Sequence, residues 1–224
     1  MTNYYSNSLN SNKLQRCYEI APERIVQFLE AEIDFVMKKI DPDDLVLDLG
    51  CGYGRVAFRL TDKARKVIGI DISDDNIKLA RAFTGKDSNC GFFTMDATAM
   101  DFNDNSFDKV ICVQNGISAF NVDPAKLIKE SIRVTRKGGT VLFSSYSEKF
   151  WDHRLEWFHI QAGEGLIGEI DHKQTKNGVI VCKDGFRAIT FSGDDFLKLA
   201  ANFDVQATIH EVDRSSVFCE MVVS

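Results

Sequence analysis

An excess of basic charge, paired cysteines, a membrane-length apolar run and a leader-like start are all missing from this 224-residue sequence, and each absence removes a class of function. Against 27 Lys and Arg stand 33 Asp and Glu, a formal net charge of -6. Proteins that track nucleic acid draw affinity from clustered Lys and Arg, so a nucleic acid is not the expected partner. The six cysteines (Cys17, Cys51, Cys90, Cys112, Cys182, Cys219) stand singly, without a Cys-x-x-Cys pair. Free thiols in a reducing compartment fit that spacing better than a disulfide framework or a zinc cage. His153, His159, His172 and His210 show no metal-ligand spacing either, so no metal is expected. No stretch approaches the roughly 18 apolar residues of a membrane helix. The start, MTNYYSNSLNSNKLQR, is polar, and a soluble cytoplasmic protein is expected.

What is present is enough apolar residue, 44%, for one substantial core. One domain over 1–224 is expected, with a core at 41–146, an insertion at about 147–190 and closing elements at 192–224. After Pro22, Ile25, Leu29, Ile33, Val36 and Ile40 recur at helical spacing. LVLDLG (45–50) reads as a strand entering a glycine-rich turn, and VAFRL as the helix that follows. KVIGID (66–71), GFFTMD (91–96), FDKVICV (107–113) and TVLFSSY after Gly138-Gly139 continue the strands. Ser73 and Asp123-Pro124 start helices between them. Such alternation implies a parallel α/β sheet covered on both faces.

After Tyr146 the pattern changes. Residues 148–165 carry Phe150, Trp151, Trp157 and Phe158 among charges with no clean period. Asn177-Gly178 and Asp184-Gly185 around VIVCK signal a hairpin, Ser192 to Asp195 a capping box, and 205–212 with 216–223 an antiparallel strand pair.

The chemistry concentrates in Asp48-Leu49-Gly50-Cys51-Gly52-Tyr53-Gly54. Glycines allow a tight turn and close approach of backbone to a ligand. Ligands of open parallel sheets bind beyond the carboxyl ends of the strands. Here the first three strands close on Asp48, Asp71 and Asp96. Carboxylates repel a pyrophosphate but suit an ammonium group and a ribose diol. Arg55 stands where a dinucleotide fingerprint has glycine, which counts against an NAD-dependent oxidoreductase.

Taken in order, VLDLGCGYGR (46–55), GIDIS with Asp71, Asp96-Ala97, FDKVICVQN and RKGGTVLFS resemble the motifs of the class I S-adenosylmethionine-dependent methyltransferases. The resemblance implies a Rossmann-like, seven-stranded, mostly parallel sheet with an antiparallel last strand, helices on both faces, and here a small β-hairpin insertion after strand five. It implies methyl transfer from S-adenosyl-L-methionine to an acceptor, expected to be a small molecule, without metal or covalent nucleophile. Gly50, Cys51, Gly52 and Gly54 would cradle the amino-acid part of the cofactor and Asp48 its ammonium. Asp71 would take the ribose hydroxyls, Ile72 and Ala97 would adjoin the adenine, and Asp96 would accept from its amino group. Gln114 and Asn115 would flank the methionyl part and the methyl. Family members place substrate-selecting insertions before the first helix and after the fifth strand. By that position Tyr18 would close over the cofactor, and Trp151, His153, Arg154 and Trp157 would line the acceptor pocket.

Plainer readings stand beside these. Asp71 could belong to a helix cap, Asp96 to a turn, Asn115 to the cap of a short helix, and the aromatic run to the core or a dimer contact. A module that binds the cofactor without catalysis is the alternative function.

Overall fold

The computed structural model describes residues 4, 9, 11–85 and 89–224. Among the described residues, the helices α1 (Ser11–Glu19) and α2 (Glu23–Lys39) precede β1 (Leu45–Leu49). Then follow α3 (Arg55–Leu60), β2 (Lys66–Asp71), α4 (Asp74–Thr84), β3 (Cys90–Thr94), β4 (Phe107–Cys112), α5 (Gly116–Ala119), α6 (Pro124–Val134) and β5 (Thr135–Tyr146). A 3-10 turn (Glu148–Phe150), α7 (Trp151–Gly163), the short strands β6 (Ile180–Val181) and β7 (Arg187–Ala188), α8 (Gly193–Ala200), β8 (Val205–Val212) and β9 (Ser216–Val223) complete the chain.

The seven main strands lie in the order β3-β2-β1-β4-β5-β9-β8. Neighbours from β3 to β5 are parallel, and β9 runs antiparallel to both β5 and β8. The strand order reverses between β1 and β4, which opens a crevice at their carboxyl ends. Both faces of the sheet are covered. Leu47, Ile68, Ile70, Val141 and Phe143 pack into one layer, while Val46, Val67, Ile111, Leu142 and Phe218 pack into the other. That double burial is why these strands read as continuous apolar runs instead of alternating ones. A third apolar cluster caps the sheet, joining Cys17, Ile25, Phe28 and Leu29 to Tyr146, Phe150, Trp157, Phe158, Ile180 and Phe186.

The expected caps are made as read: Ser73 accepts from the Asn76 backbone, Asp123 from Ala125, and Ser192 with Asp195 forms a reciprocal capping box. The hairpin insertion is β6 with β7, turning at Gly185.

Three expectations change. The fifth strand begins at Thr135, ahead of Gly138-Gly139, and the register with β4 shifts between Phe107 and Lys109. A Cβ on Gly139 would come within 2.8 Å of two backbone oxygens, so the glycine serves an irregularity inside the strand and not its entry. The third strand stops at Thr94, because Asp96 folds into a turn. Most of 148–165 is helix α7, whose buried residues Arg154, Trp157, Phe158 and Gln161 are spaced i, i+3, i+4, i+7. That stripe has helical period, but two of its four members are polar, so counting apolar residues hides it. Helix α1 is likewise unforeseen. Of the N-terminal segment expected to close over the cofactor, residues 1–3, 5–8 and 10 lie outside the described residues.

Candidate active site

At the end of β1 the backbone swings under the neighbouring strand, with the Gly50 and Cys51 N–H groups both donating to the Ile70 carbonyl, at 2.8 and 3.0 Å. Gly52 follows with φ 54°, and a Cβ there would sit 2.9 Å from the Leu14 side chain of α1. The turn is therefore left-handed and tightly covered, and both properties require glycine. Cys51 and Gly50 line the cavity with Gly52. Gly54 does not: it stands at the start of α3 with φ 85°, and Phe92 fills the space a Cβ would need.

The polar atoms around this turn carry the chemistry. Asp48 is 2% exposed, and its Oδ2 has no hydrogen-bond partner among the described residues. Burial, then the adjacent charge of Asp71, pushes its carboxyl up to about 7, against a pull from Arg55. Arg55 leaves Nε and Nη2 buried without partners, lies 4.6 Å over the Tyr18 ring and comes only to 3.8 Å from Glu30. Gln114 accepts a hydrogen bond at Oε1 from the Tyr18 hydroxyl, 3.4 Å away, while Nε2 is buried and unpartnered. All three residues line one cavity. Buried polar groups are almost always satisfied, so one orphan acceptor facing three orphan donors describes the ligand: a positive group for Asp48 and acceptor oxygens for Arg55 and Gln114.

Asp71 also lines the cavity. Its Oδ2 accepts from Gly52 N–H at 3.0 Å, and its Oδ1 from Ser73 N–H and the Asn76 carboxamide. Burial raises its pKa, against those three donors. The helix cap itself is Ser73, so Asp71 braces the turn and faces the cavity together. Ile72 lies half exposed at the rim. Asp96 is exposed and outside the cavity, with Oδ1 taken by the Thr98 N–H and hydroxyl. Ala97 is buried in the core layer and also outside it. Asn115 occupies the cap position of α5, but its side chain caps nothing and accepts from Ser145 Oγ at 2.7 Å.

The cap supplies the opposite wall. Tyr18, Tyr146, Trp157, Phe158 and Gln161 line the cavity, and Trp157 Nε1 donates to the Cys17 carbonyl at 3.0 Å, tying α7 to α1. Trp151, His153 and Arg154 do not line it. Arg154 is 0% exposed, donates to the Gly178 carbonyl and the Thr190 hydroxyl, and lies over the Tyr146 ring. One helical turn separates it from Trp157, and α7 presents the two to different neighbours. His153 is exposed beside Phe150, and His159 stacks on His172. Among the described residues no group of His, Cys, Asp and Glu could hold a metal, and no helix is long and apolar enough to cross a membrane.

Sequence reasoning passed over Arg55 as a ligand-facing group, Tyr146, Gln161 and Glu32. Glu32 had a visible signal, an acid set among the inward positions Ile25, Leu29, Ile33 and Val36 of α2. It is wholly buried, accepts from Gln114 N–H, Ser144 Oγ and Ser216 Oγ, and burial lifts its pKa to about 7 against those bonds.

A family model described as a methyltransferase domain matches residues 46–139, the segment that builds β1 to β5 and this turn. A 2-methyl-6-phytyl-1,4-hydroquinone methyltransferase of Synechocystis is 34% identical over 155 residues, 59% of this chain and 48% of that relative, so the chain spans about half its length. Among solved structures, a protein of Pyrococcus horikoshii matches over 100% of both chains with TM-score 0.69 and 23% identity. Magnesium protoporphyrin IX methyltransferase of Synechocystis, solved with bound SAH, matches over 99% of this chain and 96% of its own, with TM-score 0.66 and 18% identity. Those two likenesses are of fold. Over residues 46–139 the chain is similar to the methyltransferase-domain family, and the solved structures it resembles share its fold.

Proposed function

We propose that this protein transfers a methyl group from S-adenosylmethionine to an uncharged small-molecule acceptor. The observation that carries the reading is the convergence of Asp48 Oδ2, Arg55 Nε and Nη2, and Gln114 Nε2, all buried and unpartnered, on the cavity above the glycine turn. Asp48 receives the ammonium of the cofactor's amino-acid end, Arg55 and Gln114 its carboxylate, and Asp71 the ribose hydroxyls beside Ile72. When bound, the cofactor supplies a methyl on a sulfonium, displaced in line by a nucleophile held about 3 to 3.5 Å away. The chain's part is to hold both molecules and exclude water, the role given to Tyr18 and Trp157, which close the cavity from α1 and α7.

Among the described residues, the charged ones lining the cavity, Asp48, Arg55 and Asp71, all come from the glycine turn and the strand ends beside it. The rest of the wall includes Leu29, Phe120, Tyr146, Trp157, Phe158 and Ala188, with neutral hydrogen-bonding groups such as Asn115 and Gln161. Such a wall supports an apolar or aromatic acceptor without formal charge. The hydroquinone in the name of the Synechocystis relative is of that kind. Six unpaired cysteines support work in the reducing cytoplasm.

Titration calorimetry of the full chain with S-adenosylhomocysteine and with NAD tests the reading. Binding of the first and none of the second is expected; NAD binding without S-adenosylhomocysteine binding would overturn it.

A further inference from the structure

Two unfavourable features meet at one hydrogen bond in the cavity wall. Glu32 is 0% exposed, and its hydrogen-bond partners are all neutral: Ser216 Oγ at 2.6 Å on one oxygen, Ser144 Oγ at 2.9 Å and the Gln114 N–H at 2.7 Å on the other. Burying a carboxyl among neutral partners is unfavourable. At the other end of the bond, Gln114 and Asn115 have φ 56° and 59°, a left-handed pair that side-chain-bearing residues seldom adopt. Strain of this kind persists where the surroundings impose it, and it gathers at ligand sites. Here it ends the alternation of β4 and brings the Gln114 carboxamide to the cavity, with Oε1 on the Tyr18 hydroxyl of α1 and Nε2 left without a partner.

We propose that Glu32 is a positioning residue for the ligand site: it holds the Gln114 backbone in the left-handed conformation and so aims Nε2 at the bound S-adenosyl ligand while Oε1 receives Tyr18. The inference rests on the cofactor reading above. Ser144 and Ser216 make it testable, because both donate a hydroxyl to Glu32, but only Ser144 also accepts from the Gln114 N–H, at 2.8 Å.

Affinity for S-adenosylhomocysteine, measured by calorimetry beside each variant's melting temperature, reads the effect. Glu32→Gln and Gln114→Ala are each expected to weaken binding about tenfold, and the double variant no further, since both act through one group. Ser144→Ala is expected to weaken it about threefold, and Ser216→Ala to lower the melting temperature with affinity kept within about 1.5-fold. Wild-type affinity in Glu32→Gln, or losses that multiply in the double variant, would overturn the proposal. If Glu32→Gln does not fold, the serines decide, and equal losses of affinity in the two overturn it. A wild-type protein that binds no S-adenosylhomocysteine would instead overturn the cofactor reading, and this inference with it.

Discussion

The floor and the cap of the cavity are built by different means. The floor comes from Asp48–Arg55 and the end of β2, within about two dozen residues of chain, and its shape is set largely by backbone groups and left-handed glycines. The cap joins Leu9 and residues 17–29 to 146–188 through side chains, with Trp157 on the Cys17 carbonyl and Phe28 against Tyr146 and Phe150. A local floor can be read from a motif and shared by many proteins. A cap assembled from distant segments can be rebuilt around another acceptor without disturbing the floor.

That contrast sets the order of the expected effects. Arg154→Ala strips the cap of a buried cation that bonds Gly178 and Thr190. A loss of about 3 to 4 kcal/mol in chemical denaturation is expected, with affinity for S-adenosylhomocysteine retained in whatever folds. A loss of affinity larger than the loss of stability would return Arg154 to the site and erase the distinction between floor and cap.

Asp48→Asn acts on the floor and should do the reverse. If Asp48 receives the ammonium as proposed, removing its charge is expected to weaken S-adenosylhomocysteine binding about a hundredfold, or about 2.7 kcal/mol. Because the same carboxyl is buried without a partner for Oδ2, the unliganded protein should melt higher than wild type. A variant that both binds normally and melts lower would show Asp48 to be a structural acid.

The pH dependence has a definite sign. Asp48 and Glu32 both stand near 7 in the folded chain, above their ordinary values of 3.8 and 4.5. Between those values and 7 the folded chain holds protons that the unfolded chain has released. Their contribution to stability is therefore present at the acid end of the window and lost as the pH rises through about 7. Urea titrations of the unliganded protein should show a fall of several kcal/mol across that range, and a shallower one in Asp48→Asn. Ligand affinity should run the other way, strengthening as Asp48 ionises. A flat stability profile would remove both carboxyls from this account.

The smallest effect belongs to the seam between floor and cap. Trp157→Phe keeps a ring in the wall but loses the Nε1 bond to Cys17. About 1 kcal/mol of stability should go, and protease nicking near α1 should increase without change elsewhere. Unchanged nicking would mean that α1 is held by its own contacts, among them Leu14 over Gly52 and Ser11 N–H on the Asn76 carboxamide.

The legible parts of this molecule share one property: sequence neighbours make them. Ser192 with Asp195, the hairpin turn at Asp184-Gly185, the paired strands 205–212 and 216–223, and the chain of Asp48, the glycines and Asp71 could all be read before any contact between distant residues was known. Arg154 and Trp157 show where reading stopped. Both lie in one aromatic, charged segment and looked alike as pocket residues. Only the packing of α7 against β5, the hairpin and α1 turns one into the cavity and the other into a buried brace. Asp96 shows the same for the floor, since its strand ends early and its oxygen goes to Thr98.

By itself the sequence determined the class of fold, the doubly covered parallel sheet and the glycine turn that joins its first strand to the helix behind it, because these follow from periodicity, turn chemistry and glycine geometry within short windows. The tertiary structure alone decided which charges face the cavity and which are buried elsewhere. It set Glu32 beneath Gln114 and Arg55 beneath Tyr18, and it closed an uncharged wall over them. The physical reason is that desolvation and hydrogen-bond partnership, which give a buried polar atom its role, depend on neighbours that the order of residues does not name.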